Sequence, residues 1–423
     1  MFSTLLVERA AERLGIKVKL EPAIISGCYI DSRACGNNSL FFAFKGEKVD
    51  GHTFVPELLK RGVICVGTED FDDKNYIKVS DTAEFMAALA KERRSLFKGL
   101  VLCVTGSSGK TSTRQLVASM LRELKLRVHA TSGNLNNHLG MPLVILNMPL
   151  YCEALVLEIG MNHAGELKHL VGIAEPDFGA ITNIGTAHIG NFGSQAELAQ
   201  AKLEIFDYSH AVAVADISDP YISKWVSENE GKRKIVKYSK NELGNLAEEY
   251  SGLPDFMVEN LLTAKSLVTA ATGRMPDLRK SIDGCELPAM RGEIRTVGKR
   301  LFVVDCYNAN PASMQKSIDN FLRRYTSDNV FILGSMFELG GFSCEMHRMI
   351  LDNLIGAGVK SPVFLIGPEF DKIKNEYANQ KNMSFFSDIS EAAKYLPAEG
   401  NFLLKGSRGN RLETIFTLPE VKE

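Results

Sequence analysis

The sequence has no apolar run near the roughly 18 residues that a membrane-spanning helix requires, so no transmembrane span is expected. It has no excess of either charge. Its 49 Lys and Arg stand against 51 Asp and Glu, a net charge of -2, which argues against a protein held on nucleic acid by bulk positive charge. No C-x-x-C pair occurs among its eight cysteines, Cys28, Cys35, Cys65, Cys103, Cys152, Cys285, Cys306 and Cys344. Scattered thiols in so long a chain point away from a disulfide scaffold or zinc site and toward a reducing cytoplasm. There is no low-complexity segment and no repeat at solenoid periods. The opening MFSTLLVERAAERLG carries Glu8, Arg9, Glu12 and Arg13 within its apolar spacing, and it reads as a surface helix rather than a signal peptide.

What is present fits a multidomain cytoplasmic α/β enzyme. A length of 423 residues, at ~150 per domain, suggests about three domains, and 45% apolar residues suffice for real cores. Residues 1–84 form a small unit of short strands such as SLFFAFKG and GVICVG. From about 85, the helical stretch TAEFMAALAKERRSLF leads into the strand LVLCVTG. The strands ALVLEIG, FGAITNIG and AVAVADI then alternate with helix patterns, as in a parallel sheet covered by helices. After the charged turn PAMRGEIRTVGKR the pattern restarts with LFVVDCYNANP, NVFILGS, PVFLIG, MSFFSD and NFLLKGS. The expected division is 1–84, a central 85–297, and a Rossmann-like 298–423.

TGSSGKTS (Thr105–Ser112) sits between a strand and the helix-like TRQLVASMLREL. That order places backbone N–H groups and a helix N-terminus around a phosphate chain. Gly106, Ser107, Ser108, Gly109, Lys110, Thr111 and Ser112 are the expected phosphate contacts. Lys110 reaches the terminal phosphates and the Thr111 hydroxyl holds Mg²⁺. Val104 stands where the strict eight-residue pattern has Gly, and the competing reading is a glycine turn beside a surface lysine. No guanine-reading N-K-x-D follows, which favours ATP over GTP.

Glu158 ends the strand ALVLE, where an open parallel sheet points its residues into the ligand crevice, so it is a candidate second Mg²⁺ ligand. His188 follows the next strand. Imidazole is an unusual Mg²⁺ ligand, so chemistry alone favours a satisfied polar histidine. Lys202, in ELAQAKLEIF, reads by itself as a lysine snorkelling from a helix.

Taken in order, TGSSGKTS, TSGNLNNHLGMPL, LEIGMN, TNIGTAHIGNFGS, AKLEIF, DCYNANP, LGSMFELG and KGSRGNRLE resemble the Mur ligase family over nearly the whole chain. YNANP is the most specific piece, because sibling ligases carry other sequences there. DSRACGNNSLFFAFKGEKVDGH (Asp31–His52) resembles the family's uridine-nucleotide-binding signature.

The resemblance implies three domains: a small α/β uridine-nucleotide domain, a central P-loop ATPase domain and a C-terminal Rossmann-like domain. It implies ATP-dependent joining of D-Ala-D-Ala to UDP-N-acetylmuramoyl-tripeptide through an acyl phosphate; the sequence does not give the oligomeric state, and a monomer is the default expectation. Glu158 then bridges two Mg²⁺ ions, His188 is a ligand of the second, and Lys202 matches a lysine that the family carbamylates. The last two assignments reverse the readings made from residue chemistry alone. Asn260 matches an adenine-reading asparagine, and an amide suits that edge. Asp305, Asn308 and Asn310 match positions near ribose and phosphates. Arg291 faces the terminal phosphates, or is a solvated linker arginine. Ser32, Arg33, Asn136, Asn137 and His138 match contacts to the nucleotide sugar. Lys405, Ser407 and Arg408 match a cationic turn for the D-Ala-D-Ala carboxylate.

Three positions depart from the family pattern. Val304 replaces a usual Asp, Ser335 stands in LGSM where Asp is common, and Phe256-Met257 replaces a His-Asn pair. All are expected around the adenine and ribose pocket, where they bear on nucleotide affinity. Two other readings stay open: a sibling ligase with a different amine, such as an amino acid or glutamate, and a non-catalytic nucleotide-binding relative.

Overall fold

Three α/β units follow one another along the chain, and the computed structural model describes residues 1–250, 253–285 and 290–421. The first opens with α1 (Thr4–Arg13), capped by the Ser3 hydroxyl, which accepts from Leu5 N. Its Leu6, Val7, Ala10 and Ala11 are buried at helical spacing. The strands β1 (Gly27–Tyr29), β2 (Ser39–Phe42), β3 (Ile64–Gly67) and β4 (Tyr76–Lys78) pair in that order, all parallel. Helix α2 (Val55–Lys60) lies between β2 and β3 in the chain. Both of those strands are buried along their whole length, as unbroken apolar runs demand.

Helix α3 (Thr82–Ser95) begins at Asp81, whose carboxylate accepts from Ala83 N and Glu84 N. A cap fixes where a helix starts, so the boundary expected between residues 84 and 85 falls inside the first turn of α3. Arg93 donates to Met148 O, and Arg94 to Ala174 O and Glu175 O, so α3 clamps the first unit to the central one.

The central unit runs β5 (Leu100–Thr105), α4 (Lys110–Glu123), β6 (Val128–Ala130), α5 (Gly140–Leu146), β7 (Ala154–Glu158), α6 (Glu166–Ala174), β8 (Phe178–Ile181), α7 (Gln195–Leu203), β9 (Val212–Asp216), α8 (Pro220–Asn229), β10 (Ile235–Tyr238) and α9 (Asp255–Thr272). Its sheet has the order β10-β9-β8-β5-β7-β6 and is parallel throughout. The chain leaves β5 toward β6 on one side and later returns to β8 on the other. That reversal opens a crevice at the carboxyl ends of β5, β7 and β8.

The third unit holds β11 (Glu293–Val297), β12 (Arg300–Asp305), α10 (Pro311–Arg324), β13 (Asn329–Gly334), α11 (Ser343–Gly356), β14 (Val363–Ile366), β15 (Met383–Phe386) and β16 (Gly400–Lys405), with sheet order β11-β12-β16-β13-β14-β15. Only β11 runs antiparallel, in a hairpin with β12. The boundary expected at 297/298 therefore cuts that hairpin, and the third unit already includes Glu293. A strand cannot be parted from the partner that satisfies its backbone groups. Among the described residues no helix is long and apolar enough to cross a membrane.

Candidate active site

A cavity of about 730 Å³ lies between the crevice of the central sheet and the facing edge of the third unit. Its floor is the phosphate loop. Gly106 (φ +144°) and Gly109 (φ +78°) take backbone conformations that disfavour side chains, and a Cβ at either would strike the Thr182 hydroxyl or the Asn260 amide respectively. Asn183, just past β8, pins the loop: Ser107 N donates to its main-chain O (3.0 Å), Ser108 N to its Oδ1 (3.2 Å), and its Nδ2 donates to Ser108 O (3.0 Å). Gly185 N donates to Ser107 Oγ (2.9 Å). Helix α4 starts without a side-chain cap, which leaves its first N–H groups for an anion. Lys110 folds back over the loop, with Nζ donating to Gly106 O (2.8 Å). Burial pulls its pKa below the usual lysine value, against the opposing influence of Glu158. Ser107–Ser112 line the cavity, while Gly106 shapes the turn behind it.

Glu158, 2% exposed, forms one wall. Its Oε1 accepts from Thr111 Oγ1 (3.2 Å) and Asn136 Nδ2 (2.8 Å). Its Oε2 is buried and lacks a hydrogen-bond partner, with Arg114 Nε 3.6 Å away. A hydroxyl and a carboxylate with an unsatisfied oxygen form the kind of small hard-oxygen set that Mg²⁺ uses with phosphates. Among the described residues no group of three or more His, Cys, Asp and Glu would cage an ion without such a ligand.

His188 lines the same cavity, with Nδ1 2.8 Å from Glu338 Oε2 of the third unit. Lys202 lies on α7, 1% exposed and outside the cavity wall. It does not reach solvent as a snorkelling lysine would. No hydrogen bond or ion pair to it exists among the described residues, and burial, then the Lys110 charge, holds its pKa well below the ordinary value.

The third unit contributes Arg291, Asp305, Tyr307, Asn308, Asn310 and Lys405 to the wall. Arg291 stacks over the Tyr307 ring at 4.2 Å, and its Nε is buried without a hydrogen-bond partner. Asn310 caps α10 through Ser313 N. Asn308 Oδ1 accepts from Ala309 N. Asn260 projects from α9 against Gly109.

Several expectations are corrected here. Lys405 is buried in the cavity wall, and its ammonium is engaged by Asp305 Oδ2 (2.9 Å) and Asn308 O (3.0 Å) rather than standing on an open cationic turn. Ser407 lies off the cavity wall and braces Phe337 N and Ala309 O. Arg408 also lies off it, paired with Glu413 at 2.7 Å. Val304 and Ser335 are both wholly buried away from the cavity. Val304 is in the third unit's core, and Ser335 Oγ bonds Ile366 O and Glu369 N. Of the three departures only Phe256 lines the cleft. Ser32 and Arg33 sit on an exposed turn of the first unit, with Arg33 forked onto Asp31 at 2.9 and 2.7 Å. Asn136 holds Glu158, Asn137 Oδ1 caps α5 through Gly140 N, and His138 is exposed, yet all three line the cavity.

Sequence reasoning missed Asn183, Glu338, Arg114 and the pair Glu259–Lys316, which joins α9 to α10 at 2.7 Å. Asn183 and Glu338 lie inside the quoted motifs, but their partners are far along the chain and no local pattern announces them.

Family models match the chain at 24–94 (Mur ligase family, catalytic domain), 104–264 (Mur ligase middle domain) and 290–408 (Mur ligase, glutamate ligase domain). The UDP-N-acetylmuramoyl-tripeptide–D-alanyl-D-alanine ligase of Bacillus subtilis is 30% identical over 93% of each chain. The ligase of the same name from Escherichia coli is 26% identical over 91% of each. Among solved structures, MurF from Acinetobacter baumannii superposes with a TM-score of 0.83 at 25% identity, covering 98% of both chains. The MurF ligase of Thermotoga maritima in complex with ADP gives 0.80 at 27% identity, covering 94% of this chain and 97% of that one.

Proposed function

The chain belongs to the Mur ligase family, and from that premise we propose that it uses ATP to join D-Ala-D-Ala to UDP-N-acetylmuramoyl-tripeptide in peptidoglycan precursor synthesis. The observation that carries the reading is a shared wall: Lys110, Glu158, His188 and Arg291 face one cleft, at the junction of the central and third units.

The reaction presses a carboxylate against a triphosphate. Each uncompensated pair of like charges at 4 Å opposes this by about 4 kcal/mol at an effective dielectric of 20. The free N–H groups at the start of α4, with Lys110, hold the β- and γ-phosphates, and Arg291 adds charge from the other side. Thr111 and Glu158 would hold a first Mg²⁺, and His188 with a carbamylated Lys202 would hold a second. Bound Mg²⁺ withdraws charge from the phosphoryl oxygens and from the substrate carboxylate. The γ-phosphoryl group passes to the tripeptide's terminal carboxylate, giving an acyl phosphate. The D-Ala-D-Ala amine then attacks that carbonyl, and phosphate leaves as the amide forms.

Lys202 suits carbamylation because burial without a partner, and the nearby Lys110 charge, favour its neutral, nucleophilic amine. Its nitrogen attacks CO₂, one proton is lost, and an anionic oxygen donor results. The reading carries a cytoplasmic monomer with it.

The test is a panel of amines offered with ATP, Mg²⁺, bicarbonate and the nucleotide tripeptide, with products identified by mass. Only D-Ala-D-Ala is expected to give the nucleotide pentapeptide. Preferential use of a single amino acid would move the chain to a sibling activity. The non-catalytic alternative loses much of its motive, since Ser335 lies inside the third unit rather than in the cleft.

A further inference from the structure

The third unit buries a histidine that no step above uses. His347 lies on α11, wholly buried, with its ring edge-on to Phe370 and outside the cavity wall. Its two ring nitrogens have opposite partners. Nε2 is 2.9 Å from Met336 N, and Nδ1 is 2.7 Å from Ser343 O. A main-chain N–H only donates and a main-chain carbonyl only accepts. Nδ1 therefore carries the single proton of a neutral ring, and Nε2 takes the hydrogen bond from Met336. Burial lowers the ring's pKa, against the opposing influence of Ser343 O and Glu369, and favours that neutral form.

Met336 belongs to the segment between β13 and α11. Three successive N–H groups there are held from within the third unit: Ser335 N by Ile366 O (2.8 Å), Met336 N by His347, and Phe337 N by Ser407 Oγ (3.0 Å). The next residues meet the central unit. Glu338 (φ +64°) and Gly340 (φ +53°) take left-handed conformations, and this stretch lies against the 188–191 turn. Gly190 N donates to Glu338 O (3.3 Å), and a Cβ on Gly190 would come within 2.5 Å of Gly340 N.

We infer that His347 is a positioning residue, whose Nε2 fixes the 336–340 segment in the shape that meets the 188–191 turn and so sets how the third unit docks over the cleft. An apolar side chain of similar size would fill the same space. It would leave Met336 N–H buried without an acceptor, and the segment would have to shift to satisfy it. The contact at Gly190 is backbone against backbone, with no flexible side chain to absorb such a shift. The inference goes beyond the ligase reading. It needs only that both units wall the cleft, and the kinetic arm of its test alone assumes D-Ala-D-Ala ligation.

The experiment compares two variants of the full chain. In His347→Gln the amide reaches the place of Nε2 and still accepts from Met336. In His347→Asn the shorter amide keeps only the place of Nδ1, facing Ser343 O. The readouts are amide hydrogen exchange at Gly190, which lies in the other unit, melting temperature and steady-state kinetics. His347→Asn should speed exchange at Gly190 and lower kcat about tenfold, the scale of stranding one buried N–H, with the KM for the nucleotide tripeptide unchanged. His347→Gln should hold both near wild type. Gly190→Ala blocks the contact from the central side and should lower kcat with the His347 hydrogen bonds intact. Combined with His347→Asn it should cost no more than the larger single loss, because both act through one contact. Where His347→Asn does not fold, Ser407→Ala, which frees Phe337 N in the same segment, should show the same faster exchange and lower kcat. Equal behaviour of the Gln and Asn variants overturns the inference. So does an Asn variant that melts lower yet keeps wild-type exchange at Gly190 and wild-type kcat. A wild-type chain that forms no amide instead overturns the ligase reading, and exchange at Gly190, which needs no turnover, still decides the role of His347.

Discussion

Thr111 Oγ1 donates to Glu158 Oε1 across 3.2 Å, joining the first turn of α4 to the last residue of β7. The same carboxylate oxygen accepts from Asn136 Nδ2 at 2.8 Å, while Oε2 faces the buried Arg114 at 3.6 Å with no hydrogen bond. Three elements thus converge on one carboxylate and aim it beside the phosphate loop.

Asn136→Ala follows directly from that geometry. Loss of a hydrogen bond to a buried charged group should raise the barrier by about 1.5–3 kcal/mol. The change should appear in kcat and in the Mg²⁺ requirement, with the KM for the nucleotide tripeptide little altered. A large rise in that KM alone would return Asn136 to the role of a sugar contact.

Lys110→Ala should remove more than ~3 kcal/mol of transition-state stabilisation, the scale of losing an oxyanion or phosphate clamp. Single-turnover formation of ADP measures it. Thermal stability should hold or rise, because the side chain is held in a setting that disfavours its charge.

Lys202 should make stability depend on pH. Its amine is neutral in the folded chain and charged in the unfolded chain between its depressed folded pKa and the ~10.4 of an exposed lysine. The unfolded state therefore binds more protons across that window, and stability climbs as pH rises through it. Lys202→Met should be more stable than wild type at neutral pH in CO₂-free buffer and should show a flatter pH profile in denaturant melts. Added bicarbonate with Mg²⁺ should raise the melting temperature of wild type but not of Lys202→Met. A short carboxylate such as formate should restore part of the activity of Lys202→Ala.

The buried pair Asp305–Lys405 gives a double-mutant cycle. Asp305→Ala strands a buried ammonium and should destabilise by about 3–5 kcal/mol, while Asp305→Ala with Lys405→Met should recover much of that loss. Urea midpoints report both. If Lys405→Met alone instead leaves stability unchanged and abolishes use of D-Ala-D-Ala, Lys405 is a substrate cation after all.

Local order was readable in the sequence wherever one segment carries its own cause. The strand, glycine turn and helix of LVLCVTGSSGKTS place Lys110 and Thr111, and a strand-end carboxylate places Glu158. Contacts between units were not readable. Lys405 is spoken for by Asp305, far earlier in the chain, and Glu338 reaches His188 only after two domains have folded and docked. Ser335, expected by motif position at the nucleotide, is turned inward by its strand and bonds Ile366 O instead. Where elements begin was hidden for a related reason: Asp81 caps α3 and Glu293 pairs with Val304, and both facts depend on hydrogen bonds rather than on composition.

The central claim is that Lys110, Glu158, His188 and Arg291 form one electrostatic cradle for phosphoryl transfer to a peptide carboxylate. Its most direct test is the stoichiometry of phosphate release from ATP with Mg²⁺ and bicarbonate present. The account predicts one phosphate per amide formed, with release requiring both UDP-N-acetylmuramoyl-tripeptide and D-Ala-D-Ala. No release when both are supplied to folded protein would contradict it.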